Sequence, residues 1–350
     1  VIASGSAATQ VALAGDDPAE RASWSGYVAA HPQASFFHRW EWRDLLATQW
    51  GHVPCYLIAR RAGAVCGVLP LALVRSRLFG SRLASLPFCA TAGPLVDDEA
   101  ALAALDEAAA GHARRLGAEH LEIRAERPWH PSWPASDLYV GFRRPIGADD
   151  DANLKAIPRK QRAMVRKGCA HGLTDAIEDA DSLYPLYADN VHRHGTPAMP
   201  RSWFRALQAA FGDDCDVLVV RDAEGRAVSG VMSFWHRGTV MPYYAGDVPR
   251  ARDLAANDYK YWALMRQAAR RGCCAFDFGR SKVGSGPFQF KRNWGFEPQP
   301  LAYEYQLIAR RDVPGHNPDN PRYRLLIAAW RRLPRPVVDW LGPRVVRGLG

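Results

Sequence analysis

Between Gly272 and Pro300 the chain reads GCCAFDFGRSKVGSGPFQFKRNWGFEPQP. The apolar run Cys274-Ala275-Phe276-Asp277-Phe278 stops at Gly279, with Phe276 and Phe278 on one face, as in a buried strand. Arg280, Ser281 and Lys282 follow at once, then Gly284 and Gly286. Cations and glycines at the carboxyl end of a strand lie where open α/β sheets bind ligands. The segment Phe288 to Phe296 then sets Lys291 and Arg292 among four aromatic residues. The competing reading is a plain loop and an amphipathic turn with solvated cations.

A strand ending in Asp277-Phe278-Gly279, a glycine loop, Phe290-Lys291 and then Trp294-Gly295-Phe296 resembles the FemABX peptidyltransferases. The wording from Phe276 to Gly284 is closer still to a FemAB-like branch found beside the exosortase/PEP-CTERM system of bacteria. The resemblance runs from about Trp40 to Gln306. It implies two acetyltransferase-like (GNAT) domains and transfer of an acyl or aminoacyl group to an amine of a cell-envelope acceptor. It also implies that Lys291, beside Phe290, lies at the reaction centre, and that Tyr243 or Tyr244 contacts the precursor.

The totals are compatible with this. A chain of 350 residues has room for two domains, and 48% hydrophobic with 23% charged residues suits a globular protein with ample core. The formal charge of +9 favours anionic partners such as nucleic acid, nucleotide, CoA or a membrane face. Seven cysteines form no CxxC pair and no zinc-type spacing, so they read as reduced thiols of a cytoplasmic protein, without a metal. The first residues lack the basic start of a signal peptide, and no apolar run reaches the ~20 residues of a spanning helix.

Both halves repeat one order: strand, turn, strand, strand, helix, strand. Tyr56 to Arg60 aligns with Val217 to Arg221, and Leu121 to Arg124 with Phe276 to Gly279. Val65 to Val74 reads as one strand, Ala100 to Leu116 and Leu254 to Arg271 as the two helices. Matching order and turn positions point to a tandem duplication with a cleft between the copies. The predicted fold is therefore mixed α/β, a pair of GNAT-like domains with a helical tail. Residues 1–17 form a disordered start, 18–150 the first domain, 151–310 the second, and 311–350 a basic amphipathic tail.

Pro158 to Gly168 reads as a helix with Pro158 at its start and Gly168 as its stop. Arg159, Arg162 and Arg166 share one face with no acid among them, a phosphate-binding surface or an ordinary solvated one. The FemABX proteins carry a similar basic helix. His192 and His194 stand two apart and are read as a substrate-binding loop, His194 with a pKa suited to a general base. Asn257, followed by Asp258, is a good N-cap for the next helix, whose end suits an anion or carboxylate.

No Ser-His-Asp or Cys-His set is legible, so the acceptor amine is expected to attack directly, with Lys291 steadying the oxyanion. Arg280, Ser281 and Lys282 would hold anionic substrate groups. No cofactor is expected to bind tightly. The acyl donor arrives as a co-substrate, aminoacyl-tRNA by the resemblance or acyl-CoA as the alternative. Lys282-Val283-Gly284-Ser285-Gly286 lacks the spacing of a CoA pyrophosphate loop. The acceptor is a small or lipid-linked molecule. A non-catalytic basic adaptor for nucleic acid or membrane is the rival from another class. The tail either packs on the first domain, the favoured reading, or rests peripherally on the inner membrane.

Overall fold

A computed structural model of the chain describes residues 8–77, 79–314 and 327–349. These fall into two compact units. The first takes the residues before 138 together with 301–314 and 347–349; the second takes 138–300 and 327–346.

In the first unit, Gln10–Leu13, Leu57–Arg61, Ala64–Leu69 and Leu95–Val96 form a four-stranded sheet in that order. The start expected to be disordered thus contributes a strand, paired antiparallel from Gln10↔Arg60 to Leu13↔Leu57. The helix Glu99–Arg115 begins at Asp98, whose carboxylate accepts from Ala101 N at 2.9 Å. Its stripe Ala101, Leu105, Ala109 and Ala113 packs into a core with Leu57, Ala59 and Leu69.

A second sheet has the order Val53–Pro54, Ala72–Ser76, Gly80–Ala84, His120–Ala125, Ala302–Leu307, Ala135–Ser136. The single strand predicted from Val65 to Val74 is therefore two, one per sheet. Pro70 divides them, because it has no N–H to continue a ladder.

The second unit has one six-stranded sheet: Arg143–Pro145, Ala275–Asp277, Thr239–Asp247, Ala227–His236, Cys215–Arg221, Thr174–Glu178. The helix Ala256–Arg270 buries Leu264, Met265 and Ala268 in a core with Leu218, Val220 and Val231. Helices Ala180–Arg193 and Arg201–Phe211 complete the layers. Leu183 and Leu186 of the former reach Gly230 of the sheet.

The repeated order is only partly present: between its turn and its long helix the first unit has four strands, Ala64–Leu69, Ala72–Ser76, Gly80–Ala84 and Leu95–Val96, where the second has two, Ala227–His236 and Thr239–Asp247. In each unit a strand that precedes the long helix pairs in parallel with the strand after it: Gly80–Ala84 with His120–Ala125, and Thr239–Asp247 with Ala275–Asp277. The boundaries differ from those read in the sequence. Arg143–Pro145, assigned to the first domain, pairs with Ala275–Asp277 of the second unit. Ala302–Leu307, assigned to the second, lies between His120–Ala125 and Ala135–Ser136 of the first. Strand pairing, not position along the chain, decides membership.

The tail supplies a helix, Arg335–Leu349, with residues 327–330 helical before it. Trp330 and Val338 are buried, and Gly342 lies against Ala198. Residues 327–346 thus pack within the second unit, and 347–349 within the first, where Arg82 donates to the Leu349 carbonyl at 2.6 Å. Residues 315–326 of the expected tail lie outside the described residues.

Candidate active site

The strand Thr239–Asp247 shapes the site. Its parallel pairing with Ala275–Asp277 covers only Thr239↔Ala275 and Val240↔Phe276. On its other side the register slips, Met232 facing Tyr244 and Ser233 facing Pro242, so Tyr243 has no opposite. Pro242 cannot donate to a ladder, and the bulge accommodates it. The strand runs on to Asp247, and a cavity of about 850 Å³ opens at this carboxyl end, within the size range of small-molecule sites.

Four helices complete the wall. Gln161 and Met164 come from Arg159–Ala170, and Asn190, Arg193 and His194 from the end of Ala180–Arg193. Asn257 and Asp258 come from the start of Ala256–Arg270, and Gln289, Phe290 and Asn293 from Gly286–Asn293. The turn Val248 to Ala255 adds Arg252, which is exposed. Ala255 adopts φ 52° and ψ 32°, and no side chain caps the helix it precedes. Its first N–H groups therefore present partial positive charge.

Two carboxylates line the cavity. Asp247 accepts from Lys260 Nζ at 3.0 Å and from Ser229 Oγ. Lys260 is fully buried; burial opposes its charge, but Asp247 holds its pKa above the ordinary value. Asp258 is also buried, and its Oδ1 accepts from Trp294 Nε1 at 3.0 Å and from Gln161 Nε2. Burial raises the Asp258 pKa against those two hydrogen bonds.

Lys291 is buried, but it is not among the residues lining this cavity. Its Nζ donates to the carbonyls of Phe278, Gly279 and Arg280 at 2.7, 3.1 and 3.0 Å. Burial pushes its pKa down to about 7, with Asp277 opposing and Arg280 adding to the shift. Each of the three ammonium protons has an acceptor, so none is left for an oxyanion unless a carbonyl is released. As placed, Lys291 fastens the turn after the strand, while its neighbour Phe290 reaches the cavity.

The other expected site residues divide. Arg280 stands over the Tyr139 ring at 5.0 Å, and Ser281–Lys282 is a short strand paired with Tyr139 and Val140. None of the three lines the cavity. Tyr244 is core: its hydroxyl accepts from Trp203 Nε1 at 3.1 Å. Tyr243 is half-buried at the bulge, against Phe234.

The basic helix forms, but it turns Gln161 and Met164 to the cavity, and Arg159, Arg162 and Arg166 are not among the lining residues. Gly168 is no stop, since the helix runs to Ala170. A Cβ there would lie 2.9 Å from Tyr259 Cβ, so glycine permits a close helix crossing. His192 and His194 are not in an extended loop. His192 lies inside the helix Ala180–Arg193, near the Trp330 carbonyl at 3.3 Å, while His194, its C-cap, reaches the cavity. Asn257 is not the N-cap but belongs to the first helical turn. Sequence reasoning missed Gln161, Asn190, Asp247, Arg252, Gln289 and Asn293; the carboxamides among them are scattered over three helices and leave no local signature. Among the described residues, no group of His, Cys, Asp and Glu could hold a metal ion.

Residues 153–292 match the family model described as acetyltransferase (GNAT) domain, and every lining residue except Asn293 falls within that span. No curated protein matches the chain. Among solved structures it is similar to FemX, at 16% identity and TM-score 0.65, over 88% of this chain and 98% of that one. It is also similar to a tandem GNAT protein from the clavulanic acid biosynthesis pathway, at 14% and 0.57, over 87% and 100%. A third is the L-PGS of Bacillus licheniformis, at 13% and 0.54, over 94% and 98%. The chain has the mixed α/β fold of the tandem GNAT proteins, and the span that matches the acetyltransferase (GNAT) domain model contains all of the cavity's lining except Asn293.

Proposed function

We propose that this protein is an acyltransferase that moves an acyl or aminoacyl group to the amine of a cell-envelope-type acceptor. The observation that carries this reading is the coincidence of the cavity with the acetyltransferase-domain match. FemX, the tandem GNAT protein and L-PGS support the class through their shared fold.

The uncapped start of Ala256–Arg270 and Arg252 would receive the anionic part of the donor. The acceptor amine would attack the donor carbonyl directly; the C–N bond forms as the ester or thioester bond breaks, and the proton lost by the amine passes through a base to the departing hydroxyl or thiol. Asp258, buried and with a raised pKa, is suited to take that proton. Lys291 supports the reaction by position, holding the turn whose Phe278 packs against Phe290 of the helix Gly286–Asn293.

The test is incubation of the purified chain with aminoacyl-tRNA or acyl-CoA and a panel of amines, reading N-acyl products by mass. Product with either donor is expected, and absence of transfer from both would remove the reading. Acyl-CoA is the second donor reading. The turn Val248 to Ala255 contains no glycine, which weighs against a pyrophosphate loop there.

The tail is proposed to touch an anionic lipid surface. Trp340 is 62% and Val337 41% exposed, and Arg344 stacks on Trp340 at 4.2 Å. Among the described residues, no helix is long and apolar enough to cross a membrane.

A further inference from the structure

The cavity's polar groups are unusual in kind. Five of them are carboxamides: Gln161, Asn190, Asn257, Gln289 and Asn293. A carboxamide both donates and accepts, so a set of them complements hydroxyl and amide groups that do the same. Phe290 adds an apolar face. The charges sort themselves further. Arg193 is engaged by Asp189 at 2.8 Å, by Asn190 and by the Asp247 carbonyl. Asp247 is matched by Lys260. Asp258 has no ion pair among the described residues, and both of its hydrogen bonds land on Oδ1. The other oxygen, Oδ2, has no hydrogen bond among the described residues and is not enclosed, so an entering cation or donor can take it. Gln161 and Trp294 both hold Oδ1, so the carboxylate is oriented before any ligand enters.

We infer that this cavity binds a primary amine carried on a hydroxyl-rich frame, with Asp258 receiving the ammonium and the carboxamides receiving the hydroxyls. This rests on the acyl-transfer reading for its purpose and deepens it by naming the substrate chemistry. An amino sugar as acceptor has that chemistry. Arg252, exposed and without an ion pair among the described residues, remains for a phosphate on it.

The test is calorimetric or NMR titration of the full chain with no second substrate present. Glucosamine is compared with glucose, N-acetylglucosamine and cyclohexylamine. At least a tenfold preference for glucosamine over its three controls is expected. Asp258→Asn should abolish the preference while leaving weak hydroxyl-dependent binding. Equal binding of glucosamine and glucose, equal binding of glucosamine and cyclohexylamine, or an unchanged preference in Asp258→Asn would overturn the inference. The wild-type comparison decides even if the variant fails to fold. Because it needs no turnover, its failure is distinct from a failure of acyl transfer. Transfer to amines regardless of their hydroxyls would leave the acyltransferase and sink only this assignment.

Discussion

At the scale of single residues, Gly246 and Lys291 show how little freedom surrounds the site. A Cβ on Gly246 would fall 2.3 Å from Tyr187 N and 2.4 Å from Leu186 C. Both are backbone atoms in a helix and cannot step aside. Gly246→Ala is expected to cost about 2 kcal/mol or more, read by urea denaturation. Lys291→Met strands three carbonyls, and burial of an unsatisfied acceptor costs about 1–3 kcal/mol. The variant should therefore lose stability together with any activity. Undiminished stability with turnover down by roughly a hundredfold would instead return Lys291 to the oxyanion role. The sequence made Lys291 conspicuous because a cation between aromatics stands out. It could not show that three carbonyls of one turn converge on it, since those acceptors are backbone and belong to no residue type. Asp258 and Asn257 were legible only as a helix start; what gives Asp258 its character is burial against Trp294, thirty-odd positions away.

At the scale of elements, the first unit contains a latch that the sequence does not announce. His130 lies between Asp106 and Glu304, with Nε2 and Nδ1 each 2.9 Å from a carboxylate oxygen, and stacks on Trp133 at 3.9 Å. It joins the helix Glu99–Arg115, the proline-rich loop and the strand Ala302–Leu307. Burial would lower its pKa, but the two carboxylates prevail and raise it from 6.5 to about 9. A raised folded-state pKa stabilises fully below the unfolded value and is lost as pH rises through the folded one. The stability difference between wild type and His130→Gln should therefore be largest below about pH 6.5, at most about 3 kcal/mol, and vanish above about pH 9. Denaturant titrations at pH 6 and pH 10 check this, and a difference that grows with pH would refute it. Strand and helix order was readable from hydrophobic period and turn residues. The split at Pro70 and the exchange of strands across the expected boundary were not, because period describes one strand and pairing requires two.

At the scale of the whole molecule, the charge of +9 and the exposed Trp340 predict salt-sensitive binding to anionic vesicles. Co-sedimentation with phosphatidylserine vesicles should fall at least threefold in Trp340→Glu and again on raising salt to 0.5 M (roughly a 4 Å screening length). Binding that ignores both would assign the tail to packing alone. The position of Ala302–Leu307 has a consequence of another kind. Synthesis proceeds from the amino end, so a ribosome completes residues 138–300 before it delivers the strand that sits beside His120–Ala125. Until then the nascent first unit carries a gap in its sheet, with the Leu121, Ile123 and Glu122 backbone open to any passing extended chain. The interval during which this protein is most vulnerable to aggregation is thus the time needed to translate residues 138–300.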